Sequence, residues 1–327
     1  MPKPKVYVTR TLFPEAIEIL EKVAQVEVYQ SEDDPIPRVL LLKKVRDIDG
    51  LLPMLTDSIN AELMDRAKKL KVVSNYAVGY NNIDVDAATQ RGIMVTNTPD
   101  VLTDTTADTA FMLLMAISRR LVEADRHVRE GKWVKAWGPK MLLGSDVTGK
   151  TLGLVGLGRI GSAMVPRAKG FGMRLIYTDT VRSPEREKKL GVEFREFKDL
   201  LKEADYVSIH VPLTAETHHL MGEKELHMMK PTAYLVNTSR GPVVDEEALY
   251  RALRGRVIAG AALDVHEKEP VDKDDPLLSL KNIIMTPHIG SATVETRVAM
   301  AVRAATNLAA ALRGERPRDL VNPGVLQ

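Results

Sequence analysis

The stretch GLVGLGRIGSAM, residues 153–164, places Gly156, Gly158 and Gly161 directly after a run of apolar residues. In a strand-to-helix turn of this kind, the first glycine permits the tight turn and the second lets the backbone approach a pyrophosphate. The third glycine allows the helix to pack closely on the strand, while the phosphates lie at the helix N-terminus. The stretch therefore predicts a dinucleotide-binding loop.

The carboxylate of Asp179, at the end of the next apolar segment RLIYTD, indicates which coenzyme this loop binds. A carboxylate at this position accepts hydrogen bonds from a ribose diol and repels a 2′-phosphate. We therefore expect NAD(H) to be preferred. Arg182 follows shortly after and is able to pair with a 2′-phosphate if its loop folds back, so NADP(H) use stays open.

Short β-branched or apolar runs alternate with helical patterns along the chain. Five runs lie within residues 5–99, and five more follow residue 150, from TLGLVG to VIAGAALDV. This alternation predicts parallel sheets covered by helices on both faces, and ten runs indicate two sheets. With 327 residues, 44% of them hydrophobic, the chain is long enough for two domains. We expect an α/β protein.

Three local features refine this picture. The segment at residues 103–131 has the pattern of one long helix, with Thr103 or Asp104 as its cap. The segment at residues 291–314 predicts a final helix that Gly314 stops. Inside the helix after the glycine loop, Pro166 removes an N–H group, so a bend is expected there.

Composition excludes several classes of function. The 46 Lys and Arg residues nearly balance 44 Asp and Glu residues, and the basic residues form no block, so nucleic acid and anionic membranes are not expected partners. The absence of cysteine excludes disulfides, thiolate metal sites and cysteine nucleophiles, and we expect no metal. The N-terminus lacks the apolar stretch of a secretory signal, and no run spans a bilayer, so we expect a cytoplasmic protein.

A nicotinamide coenzyme that reduces a carbonyl needs a proton donor beside it. Of the seven histidines, His288 follows the strand IIMTP at a carboxyl end, where parallel sheets bind ligands, and Gly290 and Ser291 leave room around it. The other histidines are interpreted as surface or packing residues.

A small acidic substrate also needs a cation. Arg240 follows the strand AYLVNTS, and its planar guanidinium suits the coplanar carboxylate and carbonyl oxygens of a 2-keto acid. Glu269 follows a third strand and is placed to orient His288 and favour its protonated ring. Taken singly, Arg240 also fits an ordinary salt bridge and Glu269 a solvated loop charge.

Four motifs in this order, GLGRIG, NTSRGPVVDEEAL, ALDVHEKEP and TPHIGSA, resemble the D-isomer-specific 2-hydroxyacid dehydrogenases, and most of all their glyoxylate and hydroxypyruvate reductases. The likeness covers essentially the whole chain. It implies two doubly wound parallel-sheet domains, with a Rossmann-type NAD-binding domain inserted into a flavodoxin-like substrate domain. The substrate domain is expected at residues 1–99 and 289–327, and the NAD-binding domain, with a dimerisation arm, at residues 100–288.

The resemblance assigns roles to individual residues. It implies that Arg240 binds the substrate, that Glu269 supports the histidine and that His288 is the acid/base. It also implies that the backbone at Val78 and Gly79 grips the substrate carboxylate and that Leu55 lines the pocket. With Gly290, the implied cofactor-binding residues are Thr106, Gly156, Leu157, Gly158, Arg159, Ile160, Gly161, Asp179, Pro212, Thr238, Ser239 and Asp264.

The arm REGKWVKAWGPKMLLGSDVTG is expected to join two chains as a homodimer. Trp137 within it either reaches the partner's substrate pocket or only packs at the interface. His266 stands where the family more often has Phe, and we interpret it as a packing residue that is close to Glu269 in sequence.

The expected activity is NAD(P)H-dependent reduction of a short 2-keto acid, glyoxylate or hydroxypyruvate, to the D-2-hydroxy acid. Two alternatives are a D-3-phosphoglycerate dehydrogenase and a D-lactate dehydrogenase. A third is an NAD-sensing scaffold of the corepressor type, which shares this architecture without needing turnover.

Overall fold

The computed structural model describes residues 2–326 and divides the chain into two compact units. The first unit holds the chain up to Leu102 and again from Ala292 onward, and the second holds Thr103–Ser291. Each unit has a parallel sheet of its own, so the α/β class and the two predicted sheets are confirmed. The expected boundaries after residues 99 and 288 precede the observed breaks after residues 102 and 291.

The sheet of the first unit has five parallel strands in the order β2-β1-β3-β4-β5. The strands are β1 (Lys5–Val8), β2 (Gln25–Val28), β3 (Gly50–Leu52), β4 (Val72–Ser74) and β5 (Met94–Thr96). The helices of this unit are α1 (Pro14–Glu21), α2 (Arg38–Lys44), α3 (Ala61–Arg66), α4 (Val85–Gln90) and, from the C-terminal segment, α12 (Val294–Leu312). This strand order is the flavodoxin-like order that the resemblance implied.

Helix α12 completes the core of the first unit, because it packs on α1 and on β3, β4 and β5. The Ser74 hydroxyl donates to the Ala304 carbonyl at 2.8 Å, and Leu308 is fully buried over Gly50. The helix ends at Leu312, and Gly314 follows with φ +78°, in agreement with the predicted stop.

The sheet of the second unit has seven parallel strands in the order β12-β11-β10-β9-β6-β7-β8. The strands are β6 (Thr151–Val155), β7 (Arg174–Thr178), β8 (Glu193–Phe194), β9 (Tyr206–Ile209), β10 (Tyr234–Asn237), β11 (Gly260–Leu263) and β12 (Ile283–Met285). The helices are α5 (Thr103–Ser118), α6 (Leu121–Arg129), α7 (Arg159–Gly170), α8 (Pro184–Leu190), α9 (Phe197–Glu203), α10 (Glu223–Met228) and α11 (Glu246–Arg254).

The strand order of this sheet determines where a ligand binds. From β6 the chain moves outward to β7 and β8, and from the neighbouring β9 it moves the other way to β10, β11 and β12. At such a switch point the connecting loops leave in opposite directions, so a crevice opens at the carboxyl ends of the two central strands. The predicted glycine loop follows β6 directly, so it lies at this switch point.

The single long helix predicted for residues 103–131 is wrong, because the structure divides it into α5 and α6. Arg120 adopts a left-handed conformation at the break, with φ +53°. The Ser118 carbonyl accepts the backbone N–H of Ser145 at 2.8 Å, and the Arg120 guanidinium pairs with Glu123 at 2.7 Å. A distant segment thus takes the carbonyl that a continuous helix would have used.

Two further details concern the pattern of elements. Strand β8 is only two residues long and was not predicted, because it has no apolar run of its own. Helix α7 continues through Pro166 from Arg159 to Gly170, and the bend there stays a prediction. Within residues 2–326, no helix combines the length and the apolar character needed to cross a bilayer.

Candidate active site

The glycine loop between β6 and α7 has three glycines in three different environments. Gly156 has φ +95°, and a Cβ built on it would lie 2.8 Å from the His210 carbonyl oxygen. A Cβ on Gly161 would lie 2.1 Å from the Gly156 carbonyl oxygen, so only glycine lets the helix approach the loop this closely. Gly158 has no atom within 4 Å of its Cβ position. The fold therefore requires glycine at positions 156 and 161, whereas Gly158 leaves open space in front of the helix N-terminus.

The space at Gly158 fits a dinucleotide. Gly158 is the N-cap of the 12-residue helix α7, and because glycine has no side chain, it cannot cap the first N–H groups of the helix. Such a helix terminus favours an anion such as a pyrophosphate. The Thr238 hydroxyl, after β10, is buried and has no hydrogen-bond partner within residues 2–326. A buried hydroxyl without a partner costs free energy, which a bound coenzyme would recover.

Asp179 lies at the end of β7, as the sequence predicted, and its carboxylate ties that strand to the glycine loop. Its Oδ2 accepts the backbone N–H of Leu157 at 2.9 Å, and its Oδ1 accepts that of Thr180 at 2.8 Å. Arg182 does not approach this carboxylate, because its guanidinium donates to both oxygens of Glu187, at 2.8 and 3.1 Å. The hydrogen bond from Arg182 lowers the pKa of Glu187, the expected sign for a paired carboxylate.

Some of the other predicted cofactor-binding residues near the glycine loop are buried, and others are exposed. Leu157 is buried in the apolar cluster beneath α7, and Ile160 packs against the same cluster. Arg159 is exposed at the first position of α7. Pro212 is exposed in the loop after β9, where its carbonyl accepts the Thr217 hydroxyl at 2.6 Å.

Asp264, directly after β11, organises the loop that carries the predicted proton donor. Its Oδ1 accepts the Ile289 N–H at 2.8 Å and the Thr286 hydroxyl at 2.6 Å, and its Oδ2 accepts the Gly290 N–H at 2.7 Å. Its backbone carbonyl accepts the N–H of His288 at 2.9 Å. The carboxylate is buried, so its contact with a nicotinamide carboxamide stays a prediction.

Thr106 borders the same loop from α5. A Cβ built on Gly290 would lie 3.1 Å from the Asp264 carboxylate and 3.5 Å from the Thr106 methyl group. The glycine therefore lets the loop pass close to both side chains.

His288 and Glu269 form a direct pair. Nδ1 of His288 lies 2.8 Å from Oε2 of Glu269, and both side chains are about one quarter exposed, at 27% and 29%. Because a carboxylate only accepts hydrogen bonds, Nδ1 carries the proton of that bond and Nε2 is left for another partner. His288 adopts a left-handed conformation with φ +55°, which the Asp264 contacts described above hold in place.

The carboxylate of Glu269 is kept ionised by its neighbours. Burial alone would raise the pKa of Glu269, but the hydrogen bond and charge of His288, together with the N–H of His266, outweigh burial and lower it. The ionised Glu269 therefore accepts the Nδ1–H of His288 and holds the ring in one orientation.

Arg240 belongs to the same group of charges. Burial lowers the pKa of Arg240, and the negative charge of Glu269 opposes this shift. The turn that carries it is built by Asn237 at the end of β10, whose amide donates to the Arg240 carbonyl at 2.9 Å and whose oxygen accepts Ser239 N–H at 3.0 Å. A desolvated guanidinium beside a carboxylate and an imidazole is suited to bind an anionic substrate.

The predicted substrate residues of the first unit lie on two joined loops. The Val78 carbonyl accepts the Asn97 amide at 2.7 Å, and the Gly79 carbonyl accepts the Asn75 amide at 2.9 Å. Within residues 2–326, the N–H groups of Val78 and Gly79 make no hydrogen bond, so they are available to an anion. Leu55 is half-buried on the loop after β3.

The asparagines of this site were not predicted. Asn82 donates its amide to the carbonyls of Met54 and Asp57, both at 3.1 Å, which joins the Leu55 loop to the Val78 loop. Asn75 and Asn97 directly follow β4 and β5, and Asn237 is the last residue of β10, so their recurrence at strand ends is the signal that could have identified them.

The comparisons with known proteins agree with this geometry. The family model "D-isomer specific 2-hydroxyacid dehydrogenase, NAD binding domain" matches residues 111–290. The chain belongs to the family of D-isomer-specific 2-hydroxyacid dehydrogenases. It is an NAD(P)-dependent dehydrogenase.

Individual relatives cover the chain almost completely. A glyoxylate reductase of Korarchaeum cryptofilum is 55% identical over 99% of this chain and 98% of its own length. A solved Thermus thermophilus protein is 49% identical, with a TM-score of 0.91 over 97% of this chain and 99% of that chain. An NADPH-dependent glyoxylate/hydroxypyruvate reductase of Sinorhizobium meliloti, solved with NADP and malonate, is 34% identical with a TM-score of 0.87, covering 99% of this chain and 98% of that chain.

The contrast between Gly158 and Gly161 gives a direct test of the loop. Gly161→Ala should lower the free energy of unfolding by about 1–3 kcal/mol or more, because its Cβ meets the loop backbone. Gly158→Ala should leave unfolding nearly unchanged but weaken NADH binding about tenfold or more, because its Cβ enters the space for the phosphates. Denaturant unfolding and NADH fluorescence titration measure the two effects. Equal effects of both variants on stability and on binding would contradict the assignment.

Proposed function

We propose that this chain reduces glyoxylate or hydroxypyruvate to the corresponding D-2-hydroxy acid with NADH as the preferred coenzyme. The observation that carries the proposal is the pairing of His288 with Glu269 at 2.8 Å beside the desolvated Arg240. These groups follow β10, β11 and β12, three adjacent strands whose carboxyl ends share one edge of the sheet. The glyoxylate reductase relatives support the choice of substrate.

The proposed roles follow from the chemistry of a 2-keto acid. Arg240 binds the substrate carboxylate and carbonyl oxygens with its planar guanidinium. When bound, the nicotinamide supplies a hydride to the carbonyl carbon. Negative charge then develops on the carbonyl oxygen, where Arg240 stabilises it and Nε2 of protonated His288 delivers a proton. Glu269 holds the ring in this orientation.

We assign the second unit to the coenzyme and the first unit to the substrate. The open N–H groups of Val78 and Gly79, whose carbonyls are fixed by asparagine amides, are suited to bind the substrate carboxylate. We place the enzyme in the cytoplasm, because its lack of cysteine fits a reducing compartment.

Replacing the proton donor tests the catalytic assignment. His288→Gln should lower kcat/KM for glyoxylate about a thousandfold while NADH binding stays within about twofold, because general acid catalysis is lost without loss of coenzyme contacts. Steady-state assays on a panel of glyoxylate, hydroxypyruvate, pyruvate and 3-phosphohydroxypyruvate measure activity and specificity together. His227→Gln, an exposed histidine on α10, is the matched control and should keep wild-type activity.

Three outcomes would contradict the proposal. Retention of activity in His288→Gln would remove the histidine from the proton transfer. A wild-type preference for pyruvate or 3-phosphohydroxypyruvate over both glyoxylate and hydroxypyruvate would favour a lactate or phosphoglycerate dehydrogenase instead. Turnover of none of these substrates would favour an NAD-sensing scaffold.

The preference for NADH depends on Asp179. Asp179→Ala removes the negative charge that opposes a 2′-phosphate, so the NADPH-to-NADH ratio of kcat/KM should rise about tenfold or more. Arg182→Ala is the control, because Glu187 already holds this guanidinium away from the carboxylate. That variant should leave the ratio unchanged. A larger change in Arg182→Ala than in Asp179→Ala would assign coenzyme choice to the arginine.

We also propose a homodimer that forms through the arm at residues 129–149. Large apolar side chains are exposed along it and on the preceding α6. They include Leu121, Val128, Trp133, Val134, Trp137 and Leu143. A monomer seldom exposes so many large apolar side chains within one short segment, so a second copy of the chain is the partner we expect.

Sedimentation of single variants tests the dimer. The wild type should sediment at twice the chain mass of 36.2 kDa. Val134→Asp, which introduces a charge at the arm, should shift the protein toward the monomer. Val39→Asp is a matched control, because Val39 has the same 82% exposure but lies on α2. A monomeric wild type, or equal dissociation in both variants, would contradict the arm as the interface.

A further inference from the structure

His266 occupies a buried position between two acceptors. Its side chain is only 4% exposed and that of Glu246, at the start of α11, is 13% exposed. Nε2 of His266 lies 3.1 Å from the Thr286 carbonyl oxygen, and Nδ1 lies 3.6 Å from Oε1 of Glu246. Nδ1 is buried and has no hydrogen-bond partner within residues 2–326. The packing role expected from the sequence does not account for these polar contacts.

The two acceptors determine the protonation of the ring. A carbonyl oxygen cannot donate, so Nε2 must carry the proton of the bond to Thr286. In a neutral ring, Nδ1 would then direct its lone pair at the Glu246 carboxylate in a buried environment, which is unfavourable. A second proton on Nδ1 converts this contact into an ion pair. The surroundings of His266 therefore favour an imidazolium.

His266 also touches the loops that carry the three proposed catalytic groups. Its backbone N–H donates to Oε1 of Glu269 at 3.0 Å. The Thr286 carbonyl that its ring contacts also accepts the N–H of His288, at 3.0 Å. A Cβ on Gly241, next to Arg240, would lie 1.9 Å from the His266 carbonyl carbon and oxygen, so that loop packs directly on the His266 peptide.

We propose that His266, as an imidazolium paired with Glu246, is a positioning residue that keeps Glu269 ionised and fixes the turn that carries His288. The catalytic part of this inference rests on the proposed reduction of a 2-keto acid, whereas the protonation of His266 does not depend on it. The residue acts through Glu269 and Thr286, and it needs no contact with the substrate.

The charged groups near His266 determine the pKa of its ring and the direction in which it shifts the pKa of Glu269. The charged or titratable groups around the ring are Glu246 on α11, Glu267 and Glu269 on its own loop, Arg240 after β10, His288 after β12, and His219 and Asp245 beyond Glu267. Burial lowers the pKa of His266, but Glu246 and the Thr286 carbonyl outweigh burial and raise it. The charge of His266 contributes to the lowered pKa of Glu269.

Two variants should therefore shift the pH at which activity falls on the acid side in opposite directions. Activity falls on the acid side when Glu269 takes up a proton. His266→Phe keeps the ring volume but removes a cation and leaves Glu246 unpaired, so the pKa of Glu269 should rise and the acid-side fall should move to higher pH. Glu246→Gln leaves an unpaired imidazolium beside Glu269 at acid pH, so the fall should move to lower pH.

Nuclear magnetic resonance of ¹⁵N-histidine-labelled protein tests the protonation directly. At pH 7 the wild type should show a histidine signal with protons on both ring nitrogens that is absent from His266→Phe, and this absence assigns the signal to His266. In Glu246→Gln the same ring should lose its Nδ1 proton at a lower pH than in the wild type. A ring of His266 with a single proton at pH 7 in the wild type would overturn the proposal.

Profiles of kcat and KM against pH test the positioning role. His266→Phe should lower kcat for glyoxylate about tenfold at pH 7 with little change in the KM for NADH, since the coenzyme contacts are intact. The double variant His266→Phe/Glu246→Gln removes both charges, and its acid-side fall should return toward that of the wild type. A purely structural role predicts shifts of the same sign in both single variants, and that result would overturn the proposal.

The two levels of the inference fail separately. If the wild type reduces 2-keto acids and all variants lose activity at the same acid pH, the positioning role is wrong and the proposed function stands. If the wild type reduces no 2-keto acid, the proposed function fails and the catalytic part of this inference fails with it, whatever the protonation of His266.

Discussion

The carboxylate of Asp264 is the constraint on which the proposed site depends. This carboxylate accepts hydrogen bonds from the N–H groups of Ile289 and Gly290 and from the Thr286 hydroxyl. The backbone carbonyl of Asp264 accepts the N–H of His288. Hydrogen bonds to a charged group contribute about 1.5–3 kcal/mol each, so these bonds together exceed the cost of about 1–2 kcal/mol for a left-handed histidine. The loop after β12 is therefore held in the one conformation that turns the His288 ring toward Glu269.

A parallel sheet makes this arrangement possible, because it brings the carboxyl ends of β10, β11 and β12 to one edge. One charged group follows each strand. Asn237, the last residue of β10, orders the turn that carries Arg240, and Asp264, after β11, orders the turn that carries His288. His266 lies where these turns meet. The positive charges of His266 and His288 oppose the burial of Glu269, so the carboxylate can stay ionised without leaving the site.

The sequence predicted the two sheets, the glycine loop and the positions of Arg240, Glu269 and His288 because these depend on local pattern: alternation of strands and helices, a strand followed by spaced glycines, and polar residues at strand ends. It did not predict the break at Arg120, which depends on a hydrogen bond between Ser118 and the distant Ser145. It also missed the environment of His266, because the contact with Glu246 exists only after α11 has packed against the loop after β11.

The most direct test of the account is a crystal structure with NADH and oxamate, a keto-acid analogue that is not reduced. The account predicts the oxamate carbonyl oxygen within hydrogen-bond distance, about 2.7–3.2 Å, of both the Arg240 guanidinium and Nε2 of His288. Oxamate bound with its carbonyl oxygen out of reach of both side chains would contradict the central claim.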